Sequence, residues 1–275
     1  MRLAIYTTIT LLFAASAVPA QGWGSVKGQV VWTGSVPKAR PANVTADKAH
    51  CTANGDLILD DLVIDSKNNG VKNVMVWLAA APGGTLPIKP ELMGVPKDPV
   101  VIDQPQCAFV PRVVALRSGQ TLIVKNSSPV AHSAQLFGTD VKDGAPVNGQ
   151  INLSVVAGGQ ITREGDKALK AEKRPIMLGC AIHGFMHGMI GVFDHPYFAV
   201  TKDDGTFEIK DAPAGEYRIF LRQEVCGWLH TPRVTDKATS SGGSFGQPIT
   251  IPAGQALDLG KIECKPDYLP SDFPR

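Results

Sequence analysis

Cys180-Ala181-Ile182-His183-Gly184-Phe185-Met186 places a thiol, an imidazole and a thioether at intervals of three residues. Upstream, Pro175-Ile176-Met177-Leu178-Gly179 reads as a short apolar strand running into the cysteine. Downstream, Met189-Ile190-Gly191-Val192-Phe193 reads as the strand that leaves. The segment between is therefore a tight loop, and a tight loop can turn several side chains onto one point.

Working outward, the chain keeps this rhythm. Arg112 to Arg117 reads as a strand, Ser118-Gly119 as a turn, and Gln120 to Asn126 as a second strand with alternate apolar positions. The loop Ser127 to Ala131 then delivers His132. Residues 138–150 are turn-like, Ile151 to Val156 is another strand, and Lys167 to Lys173 is compatible with a helix. Before the stretch 81–99, rich in Pro and Gly, Ser25 to Trp32 and Val71 to Leu78 read as strands; residues 41–69 are polar and irregular between them. After residue 196, Tyr197 to Ile209 reads as a hairpin closed by Asp204-Gly205, and Asp211 to Leu221 as a turn plus strand. Pro248–Ile251 and Ala256–Ile262 add two more strands. Many short strands, frequent turns and no long amphipathic helix predict an all-β chain built of sandwiches.

Composition narrows the partners. The 275 residues are 44% hydrophobic and 19% charged, with a net charge of +2 and no block of like charge. That gives no reason to expect nucleic acid or an acidic polymer. Residues 1–20 read as a secretory signal peptide: Arg2, an apolar run from Leu3 to Ala17, then Val18-Pro19-Ala20 before Gln21. A membrane anchor is the competing reading of this stretch, and no cysteine lies near the cleavage point to suggest a lipoprotein. After cleavage no segment is apolar and long enough to span a membrane, so the expected location is periplasmic or secreted. Export favours disulfides, yet the cysteines number five: Cys51, Cys107, Cys180, Cys226 and Cys264. At least one is left over, and Cys180 is that one by its neighbours. The other four can pair in three ways; nearness along the chain favours Cys51–Cys107 and Cys226–Cys264.

His132, Cys180, His183 and Met186 together make the donor set of a mononuclear type 1 copper site: two imidazoles and a thiolate in a plane, with a thioether on the axis. His187 and Met189 are alternative axial donors. Zinc could use Cys180, His132, His183 and His187, but structural zinc sites usually carry more cysteines. His183 and His187 have the spacing of a zinc-protease helix, but Gly184 stands where that motif needs Glu. There is no Cys-x-x-Cys-His for haem. Asp203 and Asp204 serve the hairpin turn rather than calcium.

Residues 98–195 resemble a cupredoxin. The resemblance rests on Phe109-Val110-Pro111-Arg112, Ser118 to Asn126, Ala131-His132, and Cys180-x-x-His183-x-x-Met186 followed by Gly188 and Ile190-Gly191-Val192, which is similar to the ligand loop of amicyanin-type members. It implies a Greek-key sandwich, one type 1 copper ion held by those four residues, and transfer of single electrons to a redox partner protein. It departs from the family at Ser133, where Asn often ties the ligand loops; a hydroxyl reaches less far, so a looser site is expected. His183, framed by Gly184, Phe185 and Pro129, is the expected electron exit. Asp203 to Ile219 resembles the carboxypeptidase regulatory-like domain, a small transthyretin-like β-sandwich usually without catalysis. Residues 24–85 and 196–265 would form it, with the copper domain inserted at 98–195; tandem domains are the plainer alternative. Insertion predicts that Val26–Val31 and Val71–Leu78 pair in one sheet with Phe207–Leu221.

No enzyme is expected. A copper oxidase or nitrite reductase needs a second copper centre, and His50, His195 and His230 form no cluster. The alternatives to an electron carrier are a periplasmic copper-handling protein using the same residues, and a surface-binding or assembly module with a degenerate metal site.

Overall fold

The structure is a computed structural model that describes residues 22–230 and 246–266. The stretch read as a signal peptide lies outside the described residues. The chain is all-β. Its strands are β1 (Trp23–Trp32), β2 (Met75–Ala80), β3 (Val100–Ile102), β4 (Val113–Arg117), β5 (Leu122–Lys125), β6 (His132–Phe137), β7 (Val141–Lys142), β8 (Ala145–Pro146) and β9 (Ile151–Val155). They continue with β10 (Gln160–Arg163), β11 (Ile176–Gly179), β12 (His187–Phe193), β13 (Phe198–Val200), β14 (Thr206–Pro213), β15 (Gly215–Gln223), β16 (Gly227–Trp228), β17 (Gln247–Ile251) and β18 (Ala256–Cys264). One short helix, α1 (Lys48–Cys51), precedes β2. Among the described residues no helix is long and apolar enough to cross a membrane.

The strands build two sandwiches. In the first, the sheet β4-β12-β11-β6-β9 faces the sheet β10-β5-β3. Their inward side chains, among them Val114, Leu116, Leu122, Val124, Leu136, Leu178, Ile190 and Val192, form one buried cluster that also contains Cys180 and Met186. In the second, β14-β1-β18 faces β13-β2-β15 with β16 and β17 at its edge. Val26, Val30, Val76, Leu78, Ile209, Ile219, Leu221 and Ile262 fill that core. Alternation along a strand sends successive side chains to opposite faces. In β12 it sends Ile190 and Val192 into the first core, and Met189 and Phe193 to a third cluster at the junction, with Met75, Trp77 and Val113. Trp77 stacks on Phe220 with centroids 5.1 Å apart.

The N-terminal strands pair with C-terminal ones across the first sandwich's sequence. Val26 in β1 lies opposite Ile209 in β14, and Leu78 in β2 lies opposite Ile219 in β15. β1 and β2 themselves belong to different sheets. Residues 41–59 take another course. The loop returns on itself through Pro41 and Ile58, and its Val44, Cys51 and Leu57 pack on the first sandwich's core.

Several local expectations change. Tyr197 to Ile209 is not a hairpin: the Asp204-Gly205 turn forms, but β13 joins β2 while β14 joins β1. Gly205 has φ +77, and a Cβ there would meet the Val30 carbonyl, so the turn is pressed onto β1 and only glycine fits. Residues 167–173 are not a helix beyond a single 3-10 turn at Gly165–Lys167. Leu169 is instead drawn into the core, and the Glu172 carboxylate accepts the backbone N–H groups of Thr139 and Asp140. Residues 71–73 lie outside β2 because Asn73 takes a left-handed conformation, φ 63. The turn-like stretch 138–150 holds the two-stranded ribbon β7-β8.

Cys51 and Cys107 form a disulfide. The sulfurs of Cys226 and Cys264 face each other in the second core, 2.7 Å apart.

Candidate metal centre

Asn126 shapes the loop that carries His132. It is fully buried at the end of β5, and its amide N–H groups donate to the carbonyls of Val130, Val155 and Val156. Its carbonyl oxygen accepts from the Ser128 N–H and hydroxyl. Asp103 accepts from the Ser127 N–H and hydroxyl. The loop is thus pinned from inside and outside, and His132 begins β6 with its ring turned into the core, 1% exposed. Cys180 follows β11 directly, 5% exposed. The turn after it is closed by the Met186 N–H donating to the His183 carbonyl at 2.9 Å. β12 starts at His187, two residues before the sequence reading placed it.

The loops bring three donor atoms together. His132 Nδ1 and His183 Nδ1 are 3.0 Å apart, and Cys180 Sγ is 3.9 Å from His183 Nδ1. One ligand atom from each of the three lies within 4.8 Å of the others. A transition-metal ion held trigonally, at about 2.0–2.1 Å from nitrogen and about 2.3 Å from sulfur, would set edges of roughly 3.5–3.8 Å. Two facing lone pairs on buried nitrogens repel unless a proton or a cation stands between them, and His132 Nε2 is buried with no partner. The residues therefore fit a mononuclear ion of soft and borderline preference.

Met186 is 2% exposed and lies in the same core cluster as Cys180. The two alternative axial donors lie elsewhere. His187 is exposed, and Met189 sits in the junction cluster on the opposite face of β12. Burial lowers the His132 imidazole pKa, against an opposing pull from Asp47, which favours the neutral ring that ligation requires. Burial pushes the Cys180 thiol up, but the N–H groups of Ser133 and His183 that point at its sulfur outweigh this and leave it below the ordinary value. Those contacts are 3.3 and 3.4 Å.

Ser133 does more than its short reach suggested. Its hydroxyl oxygen accepts the Ala181 N–H at 2.8 Å and its proton points to Cys180 Sγ at 3.6 Å. One oxygen so ties the His132 strand to the Cys180 loop, and the expected looseness is absent from the geometry.

The expected exit at His183 is not open. His183 is 0% exposed, and its Nε2 meets the Asp47 carboxylate at 3.0 Å. The Cys51–Cys107 sulfurs lie against the same ring, within 4.8 Å of one of its nitrogens. Gly184 and Pro129 are exposed and Phe185 half-buried, but the imidazole between them is roofed by residues 41–59. Asp47 carried no sign in the sequence: it lies in an irregular polar stretch more than a hundred residues from the ring it touches.

No protein-family model matches the chain, and no curated protein matches it. Among solved structures it is similar to the reduced Cu(I) form of an amicyanin mutant, at 14% identity over 36% of this chain and 85% of that one, with a TM-score of 0.28. It is similar to the Cu-containing nitrite reductase (NirK) from Thermus scotoductus SA-01, at 17% identity over 39% of this chain and 27% of that one, with a TM-score of 0.29. It is also similar to a purple cupredoxin from Nitrosopumilus maritimus, at 18% identity over 34% of this chain and 98% of that one, with a TM-score of 0.26. The names of the first two state that they contain copper.

Proposed function

We propose that this chain is an exported mononuclear type 1 copper protein that carries single electrons between redox partners. The observation that carries the reading is the convergence of His132 Nδ1, His183 Nδ1 and Cys180 Sγ in a buried pocket. When bound, copper would supply a one-electron couple between Cu(II) and Cu(I). The protein supplies a fixed frame for it. Ser133 and Asn126 hold the two loops in one arrangement, so little has to move when charge changes. Met186 is the axial donor in this reading. The N–H groups on the Cys180 sulfur withdraw charge from the thiolate, which favours the reduced ion. No substrate binds the metal and no bond is made, so this is not an enzyme.

In the same reading the copper-binding sandwich is a cupredoxin domain inserted in a transthyretin-like sandwich. The support is the pairing of β1 and β2 with strands from beyond residue 200.

The test is the visible spectrum of the copper-loaded protein. An intense thiolate-to-copper band is expected, and Cys180→Ala should abolish it while leaving the fold intact by circular dichroism. A colourless Cu(II)-loaded wild type would sink the proposal.

The burial of His183 supports a second reading, copper handling without a redox partner. Self-exchange of electrons, measured by NMR line broadening in mixed Cu(I)/Cu(II) samples, separates the two. A carrier exchanges measurably; a store does not.

A further inference from the structure

Asp47 sits on the side of the His183 ring away from the other donors. Its Oδ2 is 3.0 Å from Nε2, its side chain is 39% exposed, and the imidazole it touches is 0% exposed. Its backbone is in the left-handed region, φ 48, and its carbonyl accepts the N–H groups of His50 and Cys51 at 2.9 Å each. The turn so made is held down by the Cys51–Cys107 disulfide beside the same ring. Three features therefore act together on one carboxylate: a special backbone conformation, a covalent tether and a buried imidazole partner.

We infer that Asp47 is a positioning residue for the metal centre, acting through His183. The carboxylate accepts the Nε2–H of His183 and so fixes the tautomer whose Nδ1 lone pair faces His132 and Cys180. A ligating histidine whose other nitrogen donates to a carboxylate is held in orientation and made a stronger donor. The added negative charge favours Cu(II) over Cu(I), so Asp47 lowers the midpoint potential. It opposes in this the N–H groups on the Cys180 sulfur. The segment 41–59 is also the roof that keeps a partner from touching His183 directly, so electrons enter or leave by another edge. This inference rests on the copper reading above.

The test uses the full chain with Asp47→Asn and Asp47→Gly. Asn and Gly both tolerate the left-handed backbone, so the variants remove charge without straining the turn. In the metal-free wild type, nitrogen NMR of the imidazole should show His183 protonated at Nε2, and Asp47→Gly should release that proton to fast exchange. In the copper-loaded protein both variants should raise the potential, by a shift of the order of tenfold in the Cu(I)/Cu(II) ratio at fixed applied potential, about 59 mV for a one-electron couple. The thiolate band should persist. An unchanged potential in both variants, or a wild-type His183 protonated at Nδ1 in the metal-free protein, overturns the inference. A wild type that takes up copper without a thiolate band fails the function proposal instead. The metal-free NMR result then still decides whether Asp47 sets the ring.

Discussion

Ser133 shows how much one oxygen can settle. Its position 47 residues before Cys180 would leave the two loops independent, yet from the His132 strand its hydroxyl accepts the Ala181 N–H and points at the Cys180 sulfur. A second residue-scale feature is His195. It is 8% exposed, stacked between Phe193 and Tyr197, and burial lowers its pKa from 6.5 to about 4. The folded protein therefore binds this proton less readily than the unfolded chain. The stabilisation that a neutral His195 permits is complete above pH 6.5 and is lost as the pH falls toward 4, at about 1.4 kcal/mol per unit, or about 3 kcal/mol over the window. Denaturant unfolding at pH 7 and pH 4.5 should show this loss in the wild type and a smaller one in His195→Gln. Equal losses in both would mean that other groups govern the acid limb.

At the scale of elements, the roof over the candidate metal centre is an irregular piece of the molecule. It contains only α1 and depends on the Cys51–Cys107 bond, which closes a loop of 56 residues in sequence separation. Constraining a loop of that length in the unfolded chain contributes about 2–5 kcal/mol. The double variant Cys51→Ser, Cys107→Ser should lose stability in that range by urea unfolding and be cleaved faster by protease within residues 41–59. Unchanged cleavage would show that Val44, Leu57 and the Asp47–His183 contact hold the roof without the bond. The strands, by contrast, announce themselves by pattern. β12 was readable because Ile190 and Val192 alternate with Met189 and Phe193, though which face met which core was not. The Lys167–Lys173 segment reads as a helix by composition alone; Glu172 instead spends its carboxylate on the backbone of a distant turn.

At the scale of the whole molecule, Arg112 joins the parts. Its side chain is 6% exposed, and the guanidinium makes two bonds to Glu224, at 2.7 and 2.8 Å, and one to Asp60 at 2.6 Å. Glu224 follows β15 of the second sandwich, and Asp60 comes directly after the 41–59 segment that forms the roof. Burial opposes the charge on Arg112, but the two carboxylates more than offset it and hold the guanidinium protonated. Removing one partner from a buried pair leaves the other uncompensated, at a cost of about 3–5 kcal/mol. Arg112→Ala should therefore lower the melting temperature markedly. The double variant with Glu224→Gln should lose less than the sum of the singles, and strict additivity in that cycle would show the pair to be uncoupled.

The sequence alone determined the strand-rich class and the spacing of Cys180, His183 and Met186 on a loop between two strands, and it singled out His132 as the distant candidate donor. Those features follow from local rules: alternation, turn residues, and the reach of a seven-residue loop. It also favoured the Cys51–Cys107 pairing by nearness. Only the tertiary structure decided that Asp47 meets His183, that the Ser133 hydroxyl reaches the Cys180 loop, that Met189 faces the junction, and that the supposed exit is roofed. Each of these joins residues far apart in the chain whose own neighbourhoods are unpatterned. Local periodicity reports which face of a strand is buried, but it holds no information about what is laid over that face once the chain has closed.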